Sequence, residues 1–118
     1  MSFAKKYQKV SPKFNVRIHQ PAYTSLADLY SENGKAHVYP IAGIYINTKG
    51  RFGPQACIAC NDSLMVNLPN HLTEICEQMR ADQEAVDAIN AGQAGFRIYE
   101  YVSKSGVIRY SVEWVDLA

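Results

Sequence analysis

Residues 69–92, PNHLTEICEQMRADQEAVDAINAG, carry the chain's one long helical pattern, and strand-like segments lie on either side of it. Leu72, Ile75, Cys76 and Met79 recur at i, i+3, i+4 and i+7, which is one face of a helix. Glu74, Glu77, Gln78 and Arg80 fall on the other sides and meet water. Asn70 can cap the start through its side-chain oxygen. Alternatively Asn67 caps and Pro69 occupies the first turn, where its missing N–H costs nothing. Past Arg80 the apolar face drifts. Asp82 is placed to cap a second short helix carrying Ala85, Val86 and Ile89, and Gly92 is a natural stop. The pattern predicts two helical pieces with a bend near Ala81-Asp82.

Before the helix, residues 14–19 alternate and predict a short strand ended by Pro21. Residues 24–30 predict one helical turn, capped by Thr24 or Ser25, with Leu26, Leu29 and Tyr30 facing in. Residues 31–34 predict a turn. Residues 35–48 make the strongest strand, and Pro40 and Gly43 inside it predict a bend or bulge. Such a strand can serve two halves of a small barrel. Residues 55–60 and 64–68 follow as strands around the turn Asn61-Asp62-Ser63, whose side chains can bond their own backbone.

After the helix, residues 96–102 and 107–115 predict a hairpin across the loop 103–106. Phe96, Ile98, Glu100 and Val102 share one face of the first strand; Arg97, Tyr99 and Tyr101 share the other. Glu100 fits an inward face only if that strand end opens to water. Leu72, Ile75, Met79, Ile98, Val112 and Trp114 are the expected core.

Three strands, a helix and two strands is the order of the OB-fold, a small Greek-key barrel. At 118 residues the chain has single-domain length, and 47% hydrophobic residues suffice for a core. The expected fold is α+β: a small five-stranded OB-like β-barrel with a helix between strands 3 and 4. A two-layer α+β sheet would use the same elements. The expected division is a basic N-terminal arm, residues 1–12, and a single domain, residues 13–118.

A net charge of +1 gives no global pull toward nucleic acid. It is unevenly spread, since Lys5, Lys6, Lys9, Lys13 and Arg17 stand in the first 17 residues without an acid. No signal-peptide pattern opens the sequence, and no apolar run approaches the ~20 residues of a membrane span. The expectation is a cytoplasmic protein with reduced thiols and no membrane contact.

Cys57, Cys60, His71 and Cys76 form the one candidate zinc set. Cys57 and Cys60 stand three apart on a predicted strand and point to opposite faces. His71 and Cys76 stand five apart on a helix and do not share a face. The expectation is no metal, no cofactor and three free thiols. His19, His37 and His71 fall in different elements, and no Ser or Cys sits in a nucleophile motif. The sequence therefore predicts no enzyme.

The phrases FGPQACIACNDSLMVNLPNHL, DAINAGQAGFRIYEYV and YSVEWVD resemble small uncharacterised proteins of phages and mobile elements of Gram-positive bacteria. The resemblance covers roughly residues 36–117. It implies a bacterial cytoplasm and an accessory role in replication, transfer or conflict with the host, and it carries no functional residue with it.

In an OB barrel a single strand lies across strands 2 and 3, between the loops joining strands 1–2 and 4–5. The first loop here carries Lys49, Arg51 and Phe52, and the second Lys104. Tyr45, Arg97, Tyr99 and Tyr101 add stacking surface and charge. The expected function is non-catalytic binding of single-stranded DNA or RNA. The alternative is a protein-binding accessory factor, or an inhibitor of a host system, for which exposed aromatics or the acidic helix side would serve. A homodimer is a further use of exposed aromatics.

Overall fold

The computed structural model describes residues 13–48 and 53–117. Among these residues seven strands form two sheets, and three helices pack with them. The strands are β1 (Ala22–Ser25), β2 (Val38–Pro40), β3 (Gly43–Asn47), β4 (Gln55–Ala59), β5 (Leu64–Asn67), β6 (Ala94–Val102) and β7 (Ile108–Asp116). The helices are α1 (Leu26–Asn33), α2 (Thr73–Ala81) and α3 (Gln83–Asn90), with a 3-10 turn (Asn70–Leu72) leading into α2. One sheet has the order β1-β5-β4-β3, the other β2-β6-β7.

The fold is a mixed α+β arrangement, and the expected five-stranded OB-like barrel does not form. A barrel would require the last strand to close on β5. That edge of β5 is occupied by β1, which runs parallel to it with Tyr23 beside Met65 and Thr24 beside Val66. β7 pairs only with β6 and remains an edge strand. Of the helices, α2 and α3 lie between β5 and β6 of seven strands and α1 between β1 and β2, in place of one helix between strands 3 and 4 of five.

The segment 35–48 breaks instead of bending through one sheet. Ile41 N donates to Ala94 O at 2.9 Å, and the next amide, Ala42 N, donates to Ala59 O at 2.7 Å. Adjacent residues thus belong to different sheets. Pro40 ends β2 on a sheet edge, where a missing N–H is tolerated. Gly43 is needed because the Tyr45 ring lies over it: a Cβ there would sit 2.9 Å from Tyr45 Cε2.

Alternation sorts each strand into two faces. The register places Ile44, Ile58 and Val66 side by side across β3, β4 and β5, and all three are fully buried. They face a core that includes Leu26 and Leu29 of α1, Cys76 of α2, Val86 and Ile89 of α3, and Phe96 and Ile98 of β6. The opposite face carries Tyr45, Cys57 and Asn67 in one row, and Gly43, Ala59, Met65 and Tyr23 in the next. Val16 and Ile18 cover part of it. Residues 14–19 are not a strand, although their alternation is real: Phe14 is buried, and Val16 and Ile18 are half-buried.

The helical reading holds in outline. Leu72 and Cys76 are buried, while Ile75 and Met79 pack partly exposed against the core. The bend falls at Asp82, whose side chain accepts from Glu84 N at 3.0 Å and caps α3. Gly92 follows α3 with φ +75°. Neither Asn70 nor Asn67 caps α2; Pro69 precedes the 3-10 turn, and no side chain caps it. Ser25 caps α1 through Asp28 N, and α1 runs on through the residues expected to turn, ending at Gly34 with φ +77°.

The hairpin of β6 and β7 outgrows the core. Phe96, Ile98 and Val112 are buried, Trp114 is half-buried, and Tyr110 meets Tyr30 of α1 at a ring distance of 5.5 Å. Beyond Tyr110 the same face continues as Glu100, Val102 and Ile108, all exposed. The strand end does open to water, which accommodates Glu100 on that face. No helix among the described residues is long and apolar enough to cross a membrane.

Candidate functional site

Because β7 does not close on β5, a cleft of about 380 Å³ opens between the two sheets. One wall is Gln55 of β4, Asn67 of β5 and His71 of the 3-10 turn. The other is Tyr101 of β6 with Ile108, Arg109 and Tyr110 of β7. The junction of β1 and α1, Ser25 to Ala27, also borders it.

His71 is fixed from both sides. Leu72 beside it is buried in the core, which holds the 3-10 turn down and leaves His71 facing outward. Its Nε2 lies 3.0 Å from Ser111 Oγ, and its ring meets Tyr101 edge-on at 6.4 Å. Ser111, itself buried, therefore orients the imidazole and is not a reachable nucleophile.

A second cleft, about 460 Å³, lies on the outer face of the four-stranded sheet and includes Tyr23, Tyr45, Asn47 and Met65. Gln55 and Asn67 line both clefts. The two thus adjoin at these residues, with Tyr101, Tyr110, Arg109 and His71 lining the first and Tyr45 and Tyr23 the second. No acidic residue lines either cleft, although the chain has 11. Glu74, Glu77, Asp82, Glu84 and Asp87 stand exposed around α2 and α3 instead.

The residues expected to bind from sequence are dispersed differently from a barrel site. Tyr99 and Tyr101 do share a face of β6, with rings 6.2 Å apart, and both are exposed. Arg97 shares that face but is engaged in an ion pair with Glu113 directly across the hairpin. Arg97 and Tyr99 border a smaller cleft of about 290 Å³ with Lys35. Lys104 stands exposed in the hairpin loop and lines none of these clefts. Tyr45 belongs to the other sheet and lines the second cleft. Burial raises its pKa, and the Arg80 charge beside it works the other way. Lys49, Arg51 and Phe52 lie outside the described residues.

Arg109, His71, Gln55 and Asn67 were not among the residues expected to bind nucleic acid. Arg109 was legible in principle: counting outward from the hairpin loop sets it opposite Tyr101, its partner in the register. The others become neighbours only through tertiary packing. Among the described residues Arg109 makes no ion pair.

The thiols are divided between two packing clusters. Cys60 and Cys76 belong to the main core, while Cys57 sits on the outer face and donates to Asn67 Oδ1 at 3.0 Å. Burial raises all three thiol pKa values, those of Cys60 and Cys76 to about 11, and the neighbouring Cys57 adds to the rise at Cys76. Among the described residues no three His, Cys, Asp or Glu side chains are grouped to hold a metal ion. Comparisons with family models, with curated proteins and with solved structures gave no match to this chain.

Proposed function

We propose that the protein binds single-stranded nucleic acid along the joined groove, without catalysis, as an accessory factor of a phage or mobile element. The biological setting rests on the sequence resemblance alone. The observation that carries the binding reading is the sharing of Gln55 and Asn67 by both clefts. It sets aromatic side chains in two adjoining acid-free clefts, with a cationic Arg109 lining the first. Unpaired strands are held in this manner, by aromatic faces for bases and cations for phosphates.

The test is fluorescence anisotropy with labelled mixed-sequence DNA and RNA oligomers at low and moderate salt. Tyr45→Ala and Tyr101→Ala should each weaken binding by ~1–3 kcal/mol with little change in salt slope. Arg109→Ala should flatten that slope by ~0.7, one phosphate contact on a single strand. A second reading has its own observation: Val102, Val107 and Ile108 are 68%, 51% and 57% exposed around the hairpin tip, an apolar surface suited to a protein partner. Absence of binding to every single strand at low salt overturns the groove reading and leaves the partner reading in its place.

A further inference from the structure

At the waist of the groove, two side-chain amides have part of their hydrogen-bonding capacity committed by their neighbours. Gln55 Nε2 donates to the Leu68 carbonyl at 3.2 Å, which fixes which end of the amide is nitrogen. Its Oε1 remains as an acceptor. Asn67 Oδ1 accepts from the Cys57 thiol at 3.0 Å, which leaves Nδ2 as a donor. The thiol can donate because an ordinary thiol is protonated at neutral pH, and burial raises this one's pKa further. Among the described residues no hydrogen bond reaches Gln55 Oε1 or Asn67 Nδ2. The two side chains leave the sheet on the same face, since Asn67 pairs with Cys57 and Gln55 stands two residues before Cys57.

We propose that Gln55 Oε1 and Asn67 Nδ2 together take the hydrogen-bonding edge of one unpaired base. This deepens the groove reading and rests on it. A phosphate does not suit the waist, because Oε1 would face its negative oxygens. A base edge does suit it, since each of the four bases presents a donor beside an acceptor on its Watson–Crick edge. The waist therefore accepts any base and has no intrinsic sequence preference. In a duplex that edge is already occupied, so the same couple rejects paired strands.

The test exploits a predictable failure of tolerance. Asn67→Asp retains an oxygen for the Cys57 thiol but replaces the free donor by an acceptor. Two adjacent acceptors match only guanine, whose ring N–H and exocyclic amine are adjacent donors. Affinities are measured by anisotropy for matched single strands that differ in one central block of adenine, cytosine, thymine or guanine, and for the annealed duplex. The wild-type protein should bind the four within a few-fold and the duplex at least about tenfold more weakly. Asn67→Asp should shift the ratio toward guanine by about tenfold, the worth of one good base-edge pair. The ratio cancels any general loss from the added charge. Asn67→Leu, neutral and similar in size, should weaken all four alike and leave the salt slope unchanged. Unchanged base ratios in Asn67→Asp, with wild-type binding intact, overturn the waist assignment alone. No binding by the wild type overturns the groove reading beneath it as well.

Discussion

Replacing Arg80 by Met should destabilise the protein more than any ordinary surface substitution. Arg80 lies in the last turn of α2, and its guanidinium donates to the Ile44 carbonyl on the edge strand β3. Its Cζ stands 5.8 Å from the Phe14 ring centre and 5.9 Å from that of Tyr45. One side chain thus ties a helix, a sheet edge and the segment before β1. Met retains much of the apolar stem, so the loss isolates the charged head. A hydrogen bond from a charged group contributes ~1.5–3 kcal/mol. Each cation–aromatic contact adds ~0.5–1 kcal/mol when partly exposed. These overlap, and ~2–4 kcal/mol is the expected total, a large share of the ~5–15 kcal/mol typical of a domain. Urea unfolding followed by Trp114 fluorescence should show a lower midpoint with an unchanged m-value. A second readout is specific to the geometry. The Arg80 charge opposes the rise that burial imposes on the Tyr45 pKa. Its removal should push the Tyr45 titration higher still, seen in ultraviolet titration against a Tyr45→Phe control. A stability loss below ~0.5 kcal/mol, within the range of neutral surface changes, would refute the three-way tie.

Stability should also fall at alkaline pH through the thiols. Cys60 and Cys76 titrate near 11 in the folded state against 9.0 ordinarily, so their contribution is complete below pH 9 and disappears as pH rises toward about 11. Urea midpoints measured from pH 8 to 11 should decline, and a Cys60→Ala, Cys76→Ala double variant should decline less. Gly95→Ala should separate β2 from β6, because a Cβ there would sit 2.8 Å from the Tyr39 carbonyl and 3.1 Å from Leu117 Cδ2. A cost of ~1–3 kcal/mol is expected from the melting curve, and no loss would mean that the edge strand yields freely.

The helix face, the Asp82 cap, the Gly92 stop and the β6–β7 hairpin were legible because each is a local property. Periodicity and capping act within a few residues. Pro40 and Gly43 marked the right place for a disruption but not its form. Whether a strand bends or splits depends on which neighbours take its amides, here Ala94 for Ile41 and Ala59 for Ala42. β1 was missed because four residues, Ala22-Tyr23-Thr24-Ser25, are too few for a period and run directly into a well-capped helix. That omission, together with reading residues 35–48 as one strand, made the barrel plausible. The site shows the same division. Tyr99 and Tyr101 on one face follow from alternation, whereas His71, Gln55 and Asn67 converge only after both sheets have packed.

Arg109 and Lys104 admit a plainer account than binding. β7 is an edge strand, and charged side chains on an edge discourage pairing with another chain. That account explains Arg109 on β7, but not Lys104 in the hairpin loop, and it fails for their neighbours. Tyr99, Tyr101, Val102 and Ile108 are all at least a third exposed on or beside the same hairpin. Aromatic and β-branched residues favour strand pairing, so as edge protection they are counterproductive. Their exposure costs solubility without stabilising the core, from which Glu100 shows the ribbon has already departed. A surface that combines edge charges with exposed rings is what the proposed binding to a single strand would use. In the proposed binding mode the ligand's path would start at Tyr101 and Arg109, pass Gln55 and Asn67, and reach Tyr45 on the second sheet.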